Sequence, residues 1–313
     1  MPTKFRLGTF NIENLFNRYR LLNNERGSRM KKPVDPDKFV AEGGHINMLG
    51  WSIDEFGPIS KSARRATAKV ITENTPDVLA LQEVENLFAL LAFNQKWLKN
   101  AYPYAMVLDG NDPRGIDVGV LSKFPLGAIH THRFEPEGSP PSGRTFSRDC
   151  LEVEILLAPS SPFRLFINHF KSKIGGGAER RKEQADRVVE LLRERYGSNL
   201  DGNFAILGDL NNSPSAPELK GLVRNKGLID VIATRVAEED QWTHYYKKDK
   251  TAEQLDYILL SKRVAERNPN AVPIIERRGL GTDIDYYDGE RFVQVTGAQG
   301  ASDHCGVFIE LRL

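Results

Sequence analysis

Residues 203–214 read NFAILGDLNNSP. An apolar run of strand character ends in Gly208, Asp209, Asn211 and Asn212, where the chain must turn. Turn formation alone accounts for these types, because Gly takes positive φ, Asn and Asp bond their own backbone, and Pro presets φ. The same pattern nevertheless recurs. Polar residues also interrupt or end apolar runs at Asn11 and Glu13 in TFNIEN, Glu83 in LALQEVEN, Asn168 and His169 in FINHFKSK, and Asp303 and His304 in ASDHCGVF. Asp256 precedes the run YILLS. In open α/β sheets the strand carboxyl ends line the crevice where ligands bind, so this recurrence predicts that the polar ends gather in one place.

The rest of the chain fits such a sheet protein. FRLGTFNI reads as a first strand, SKSARRATAKVITEN as a helix with Ser60 as N-cap, and DVLALQEVEN as a buried strand. Helix NLFALLAFNQKWLKN follows, then strands IDVGVLS, LGAIHTHRF, TFSRDCLEVEILLA and FRLFINHF. After Gly175–Gly177 come a helix over Ala178–Tyr196, strand NFAILGD, a short helix near Ala216–Asn225, strands LIDVIAT, QWTHYY and LDYILLS, and a last strand, CGVFIELRL. No linker or repeat divides the 313 residues, so one α/β domain with mixed sheets over 1–313 is expected. Residues 17–60 carry charges, glycines and prolines without a sustained period. They read as a long insertion, either a lid or a surface excursion.

Hydrophobic residues make up 40% and charged residues 27%, and the net charge is +1, so the whole chain lacks the basic bias of a nucleic-acid-binding domain. Any polyanion must be met by a local patch. The two cysteines, Cys150 and Cys305, form neither a disulfide framework nor a CxxC metal pair. The N-terminus shows no signal-peptide pattern and no apolar run reaches membrane-span length, so the expected location is cytoplasmic, without membrane association.

Carboxylate and amide oxygens without Cys ligands suit a hard cation, Mg²⁺ or Mn²⁺. There is no HExxH spacing for zinc and no GxSxG elbow for a nucleophilic serine. An imidazole beside a carboxylate can become imidazolium and donate to a phosphoryl oxygen as charge builds there. The set therefore points to hydrolysis at phosphorus.

The ordered motifs TFNIEN, LQEVEN, INHF, GDLNN, QLDYILLS and SDHCGV closely resemble the endonuclease/exonuclease/phosphatase superfamily of DNase I-like phosphoesterases, over residues 8–309. The resemblance implies a four-layer α/β sandwich, with two mixed β-sheets packed face to face and helices outside. It implies Glu83 as the principal metal carboxylate, with Asn11, Glu13 and Asp303 near the metal or its waters. Asp209 would activate the attacking water and Asn211 orient it. His304, held by Asp256, would stabilise the phosphate, which His169 would contact from the other side. Asn168, Lys171, Arg114, Arg148 and Arg180 are candidates for substrate contact, Lys171 and Arg180 flanking the glycine turn and helix start. The favoured substrate is a nucleic acid. A small phosphodiester or phosphomonoester, of inositol phosphate or sphingomyelin type, stays open, as does a non-catalytic binding module.

Overall fold

The computed structural model describes residues 3–15, 18–23, 51–56, 60–135, 144–157, 162–173 and 175–313. The chain runs through β1 (Lys4–Leu15), β2 (Arg18–Asn23), β3 (Trp51–Phe56), helix α1 (Lys61–Asn74), β4 (Val78–Val84), helix α2 (Leu87–Trp97), β5 (Tyr104–Val107), β6 (Asp117–Ser122) and β7 (Leu126–His130). It continues through β8 (Cys150–Ile155), β9 (Phe163–His169), helix α3 (Ala178–Tyr196), β10 (Phe204–Asp209), β11 (Leu228–Asp230), β12 (His244–Tyr246), β13 (Thr251–Glu253), β14 (Asp256–Ser261), β15 (Ile274–Glu276) and β16 (Gly306–Arg312).

Two six-stranded sheets carry the fold, in the orders β15-β16-β1-β4-β6-β5 and β11-β14-β10-β9-β8-β7. Each is mixed: β1 runs parallel to β4 and β9 parallel to β10, while the other neighbours are antiparallel. The period-2 alternation of side chains explains the layers. Phe5 and Leu7, Val78 and Ala80, and Val307 and Ile309 face Leu165 and Ile167, Ala205 and Leu207, and Ile258 and Leu260 in a core between the sheets. Residues of opposite parity point outward. Phe10, Leu79, Leu81 and Phe308 pack on Ala66, Val70, Ile71 and Phe93 of α1 and α2, while Phe166, Phe204, Ile206 and Leu259 pack on Ala185, Val188 and Leu192 of α3. Three apolar layers thus hold four structural ones, as expected.

Local chemistry sets the element ends. Ser60 Oγ accepts from Ala63 N–H at 3.2 Å at the start of α1, and Asn86 caps α2 through Ala89 N–H at 2.9 Å. LIDVIAT departs from its expected strand. β11 ends at Asp230, whose Oδ1 accepts from Ile232 N–H at 3.0 Å, so Val231–Arg235 is a turn of helix. An N-cap outweighs the β-branched residues there. In the insertion, β2 and β3 form an antiparallel pair from Arg18↔Phe56 to Asn23↔Trp51, which the aperiodic reading did not anticipate. Residues 24–50, where the lid reading mainly falls, lie outside the described residues. Among the described residues no helix is long and apolar enough to cross a membrane.

Candidate active site

One rim of the sandwich receives the carboxyl ends of β1, β4, β9 and β10 and the amino ends of β14 and β16. Along their strands Asn11, His169, Asp209 and Asp256 have the same parity as the inter-sheet core, so they form the polar end of that layer. The ladder register sets Asp209 between His169 on β9 and Asp256 on β14. Gly208 permits this approach. Its φ is 125°, and a Cβ there would lie 1.9 Å from Asn168 O, so no other residue fits.

Four groups converge on one oxygen, Asp209 Oδ2. Asn211 Nδ2 donates at 3.0 Å and Asn11 Nδ2 at 3.1 Å, while His169 Nε2 stands 3.4 Å and His304 Nε2 3.7 Å away. Asp209 Oδ1 accepts from Asn211 N–H at 2.8 Å. His304 Nδ1 bonds Asp256 Oδ2 at 2.8 Å, and Thr243 Oγ1 donates to the same oxygen at 2.7 Å. Ser302 Oγ ties the His304 segment to β1, donating to Asn11 O at 2.7 Å and accepting from His304 N–H at 3.1 Å.

The two imidazoles differ in charge. Burial and the positive charges of Arg148 and His304 push His169 well below its ordinary pKa, so it is neutral. Burial opposes protonation of His304 too, but Asp256 and Asp209 outweigh it and hold His304 well above its ordinary value. Burial, with the Asp256 charge, raises Asp209 to about 6.

The acids of the first sheet sit on irregular backbone. The ladder shifts register between Gln82 and Val84, where Glu83 takes φ 65°, and between Asn11 and Leu15, where Glu13 takes φ 48° and Asn14 φ 59°. These bulges re-aim the two glutamates toward the rim. Glu83 Oε2 accepts from Asn14 N–H at 3.0 Å, and Oε1 is 4.0 Å from His169 Nε2. Burial and repulsion from Asp303 and Glu83 raise Glu13 to about 7; burial and Asp303 raise Glu83 as well. Asp303 differs. Although desolvation opposes ionisation, the His244 and His304 imidazoles hold it low. Oxygen-only donors that repel one another are a fitting set for a divalent cation, which relieves that repulsion. Among the described residues the His and acid groups whose ligand atoms lie within 4.8 Å of one another are His244–Asp303–His304 and Asp209–Asp256–His304, which do not include Glu83.

Other expected residues are placed differently. Asn168 has the parity of Phe166. It faces the helix layer, fully buried, and donates to Phe166 O at 3.1 Å, so it offers substrate no surface. Arg148 is buried at 2% exposure, with Nη1 on Phe170 O at 2.9 Å and Nε 2.8 Å from Asp112. Asn211 Nδ2 shares the Phe170 carbonyl at 3.1 Å, linking Arg148 to the Asp209 shell. Arg180 is buried too, bonding Arg144 O and pairing with Glu183, so its guanidinium ties α3 to a loop. Arg114 is exposed and bonds both oxygens of Asp112. Lys171 is half-buried, with its backbone held by Gln184 and Arg181.

Two neighbours escaped the sequence reading. His244 bridges His304 in an isolated β pair, with Nε2 3.6 Å from Asp303, and Thr243 anchors Asp256. The only signal was a polar pair inside the aromatic run WTHYY. Beside them a cavity of about 560 Å³ is lined by Glu13, His244, Tyr246, Lys247, Gln299 and Asp303, among others.

Residues 8–304 match the Endonuclease/Exonuclease/phosphatase family. The chain belongs to that family. Its members are hydrolases of phosphoester bonds and generally use divalent metals. The chain is 26% identical over 171 residues to the Saccharomyces cerevisiae inositol phosphosphingolipids phospholipase C, a match covering 49% of this chain and 33% of that protein. Solved structures share the fold. Truncated Caenorhabditis elegans TDP2 aligns at a TM-score of 0.62 and 15% identity, covering 99% of this chain and 98% of that one. The human Nocturnin catalytic domain with bound sulfate gives 0.58 and 14%, over 99% and 95%. D. rerio TDP2 complexed with a single-strand DNA product gives 0.56 and 16%, over 99% and 100%.

Proposed function

We propose that this family member is a nuclease that hydrolyses phosphodiester bonds with the help of Mg²⁺ or Mn²⁺. The observation that carries the reading is the convergence of Asn11, Asn211, His169 and His304 on Asp209 Oδ2, at 3.0 to 3.7 Å. A carboxylate fixed by two amides can take a proton from one direction only. Asp209 accepts the proton of a water attacking phosphorus, and Asn11 and Asn211 hold its orientation. His304, charged and aimed by Asp256, donates Nε2–H to a phosphoryl oxygen as negative charge grows. Neutral His169 bounds the same space and contacts the phosphate from the β9 side. The bond to the leaving oxygen breaks opposite the attacking water. Glu83, Glu13, Asp303 and Asn11 would hold the divalent cation, which when bound neutralises phosphate charge.

Nucleic acid as substrate is supported by the family and by the likeness to a protein whose structure contains a single-strand DNA product. A second reading, a small or lipid phosphodiester, is favoured by the match to the inositol phosphosphingolipids phospholipase C and by the cavity beside Asp303, which could seat a leaving group. Incubation with Mg²⁺, Mn²⁺ or EDTA against single- and double-stranded DNA, RNA, sphingolipid phosphodiesters and bis-p-nitrophenyl phosphate separates them, with Asp209→Ala as control. Metal-dependent cleavage of a polynucleotide, lost in the variant, is the expected result. Cleavage of small diesters alone would replace the first reading by the second.

A further inference from the structure

The loop after β7 presents Phe134 at 68% exposure, and Phe134 belongs to none of the buried apolar clusters among the described residues. Its ring is attended by two guanidiniums, with Arg133 4.9 Å and Arg144 5.3 Å from the ring centroid. This cluster is held firmly. Arg133 Nη1 donates to Asp109 O, and Arg144 Nη1 donates to Asn111 Oδ1 at 3.2 Å and Arg133 O at 3.3 Å. Asn111 Nδ2 reaches Arg133 O at 2.8 Å and Phe146 O at 3.0 Å, while Arg180 holds Arg144 O from α3.

Topology places the cluster on the active-site rim. β8 begins opposite the end of β9, with Cys150 on Asn168, and β7 ends opposite the start of β8, with His130 near Glu152. The loop carrying Asn111 and Arg114 precedes β6, whose first residue pairs with Val84 beside Glu83. A bonded path connects the cluster to the site. Next to Asn111, Asp112 joins exposed Arg114 to buried Arg148, Arg148 donates to Phe170 O, and Asn211 donates to the same carbonyl and to Asp209.

We infer that Phe134, Arg133 and Arg144 form a ledge on which an unpaired nucleobase of a single-stranded polynucleotide stacks, with flanking phosphates met by Arg144 and Arg114. Planar cations beside an exposed ring match both parts of a nucleotide strand, since bases stack on aromatic and guanidinium planes and phosphates pair with arginine. One exposed phenyl with two arginines over it supplies that match locally, in a chain whose net charge is only +1. A lipid surface would call for a broader apolar face. The ledge rests on the nuclease reading and assigns it a substrate form, a strand with unpaired bases near the scissile bond.

The test measures binding by fluorescence anisotropy in the Asp209→Asn background, with Mg²⁺ present, using labelled oligo(dT) and oligo(U) of about twelve nucleotides. Phe134→Leu should weaken binding roughly tenfold and Phe134→Trp should keep it, and the loss should vanish on an abasic strand or a duplex of equal length. Equal binding by the parent and Phe134→Leu overturns the ledge and leaves the nuclease reading standing. Failure of the parent to bind any oligonucleotide overturns both. Binding to phosphatidylserine vesicles that Phe134→Leu abolishes, with oligonucleotide binding unchanged, overturns the ledge in favour of a lipid surface.

Discussion

The two sheets meet at one rim and bring different chemistry to it. The second sheet contributes His169, Asp209 and Asp256 from regular ladder positions, all nearly inaccessible to solvent, with both aspartates hydrogen-bonded. The first contributes Glu13 and Glu83 from bulges with positive φ, where strain costs on the order of 1–3 kcal/mol per residue and the acids repel one another. A fixed geometry suits proton transfer. A strained cluster of mutually repelling oxygens suits a ligand that comes and goes. His304, from the segment leading into β16, crosses between the halves to reach Asp256.

Replacing the central group of the second sheet tests this contrast hardest. Asp209→Asn should lower kcat by about 10²–10⁴-fold with circular dichroism unchanged, because the proton acceptor is lost. In the wild type, kcat/KM should fall as pH drops below about 6, where Asp209 becomes protonated. An unaffected kcat would remove Asp209 from the chemistry. His304→Gln should cost about 10²–10³-fold, as loss of one charged donor to a developing oxyanion does. Asp256→Asn should cost less and move the alkaline limb of the pH profile to lower pH, since the carboxylate that raises His304 is gone. An alkaline limb that stays in place would detach Asp256 from that role.

In the first sheet the expected effect on stability has the opposite sign. Glu13 titrates near 7 in the folded chain against 4.5 ordinarily, so folding opposes its ionisation. The penalty is absent below the ordinary value and grows as pH rises through about 7. Glu13→Gln in EDTA should therefore raise Tm at pH 8 by about 2 °C or more, with the gain shrinking at pH 5, while raising the Mg²⁺ concentration needed for activity. A lower Tm in scanning calorimetry would contradict the repulsion. The smallest expected effect on catalysis is that of Asn168→Ala, which should cost about 1 kcal/mol of stability in urea unfolding and leave KM nearly unchanged. A large rise in KM would return Asn168 to the substrate surface.

Much of this architecture was legible in the sequence. Alternation along FRLGTFNI, FRLFINHF and NFAILGD is a local property, and it decides which residues face the inter-sheet core. Asn168 and His169 show where reading by type falls short. They are adjacent and equally polar, yet one step along β9 sends the first to the helix layer and the second to the rim. Arg148 and Arg180 read as candidates for substrate contact but are buried, their guanidiniums turned to Asp112, Phe170 O and Arg144 O. No periodicity reveals such partners.

By itself the sequence determined most of the long strands and helices of the two sheets, the polar ends of those strands and the residue types available for phosphoester chemistry. It could do so because strand parity and turn preference act over a few residues. Only the tertiary structure decided that His304 is charged and His169 neutral, that His244 and Thr243 join the site, and that Arg133 and Arg144 both approach the exposed Phe134 ring. Charge state and burial are set by neighbours remote in the chain, such as Asp256 for His304, 48 residues away, and Asn11 for Asp209, 198 away.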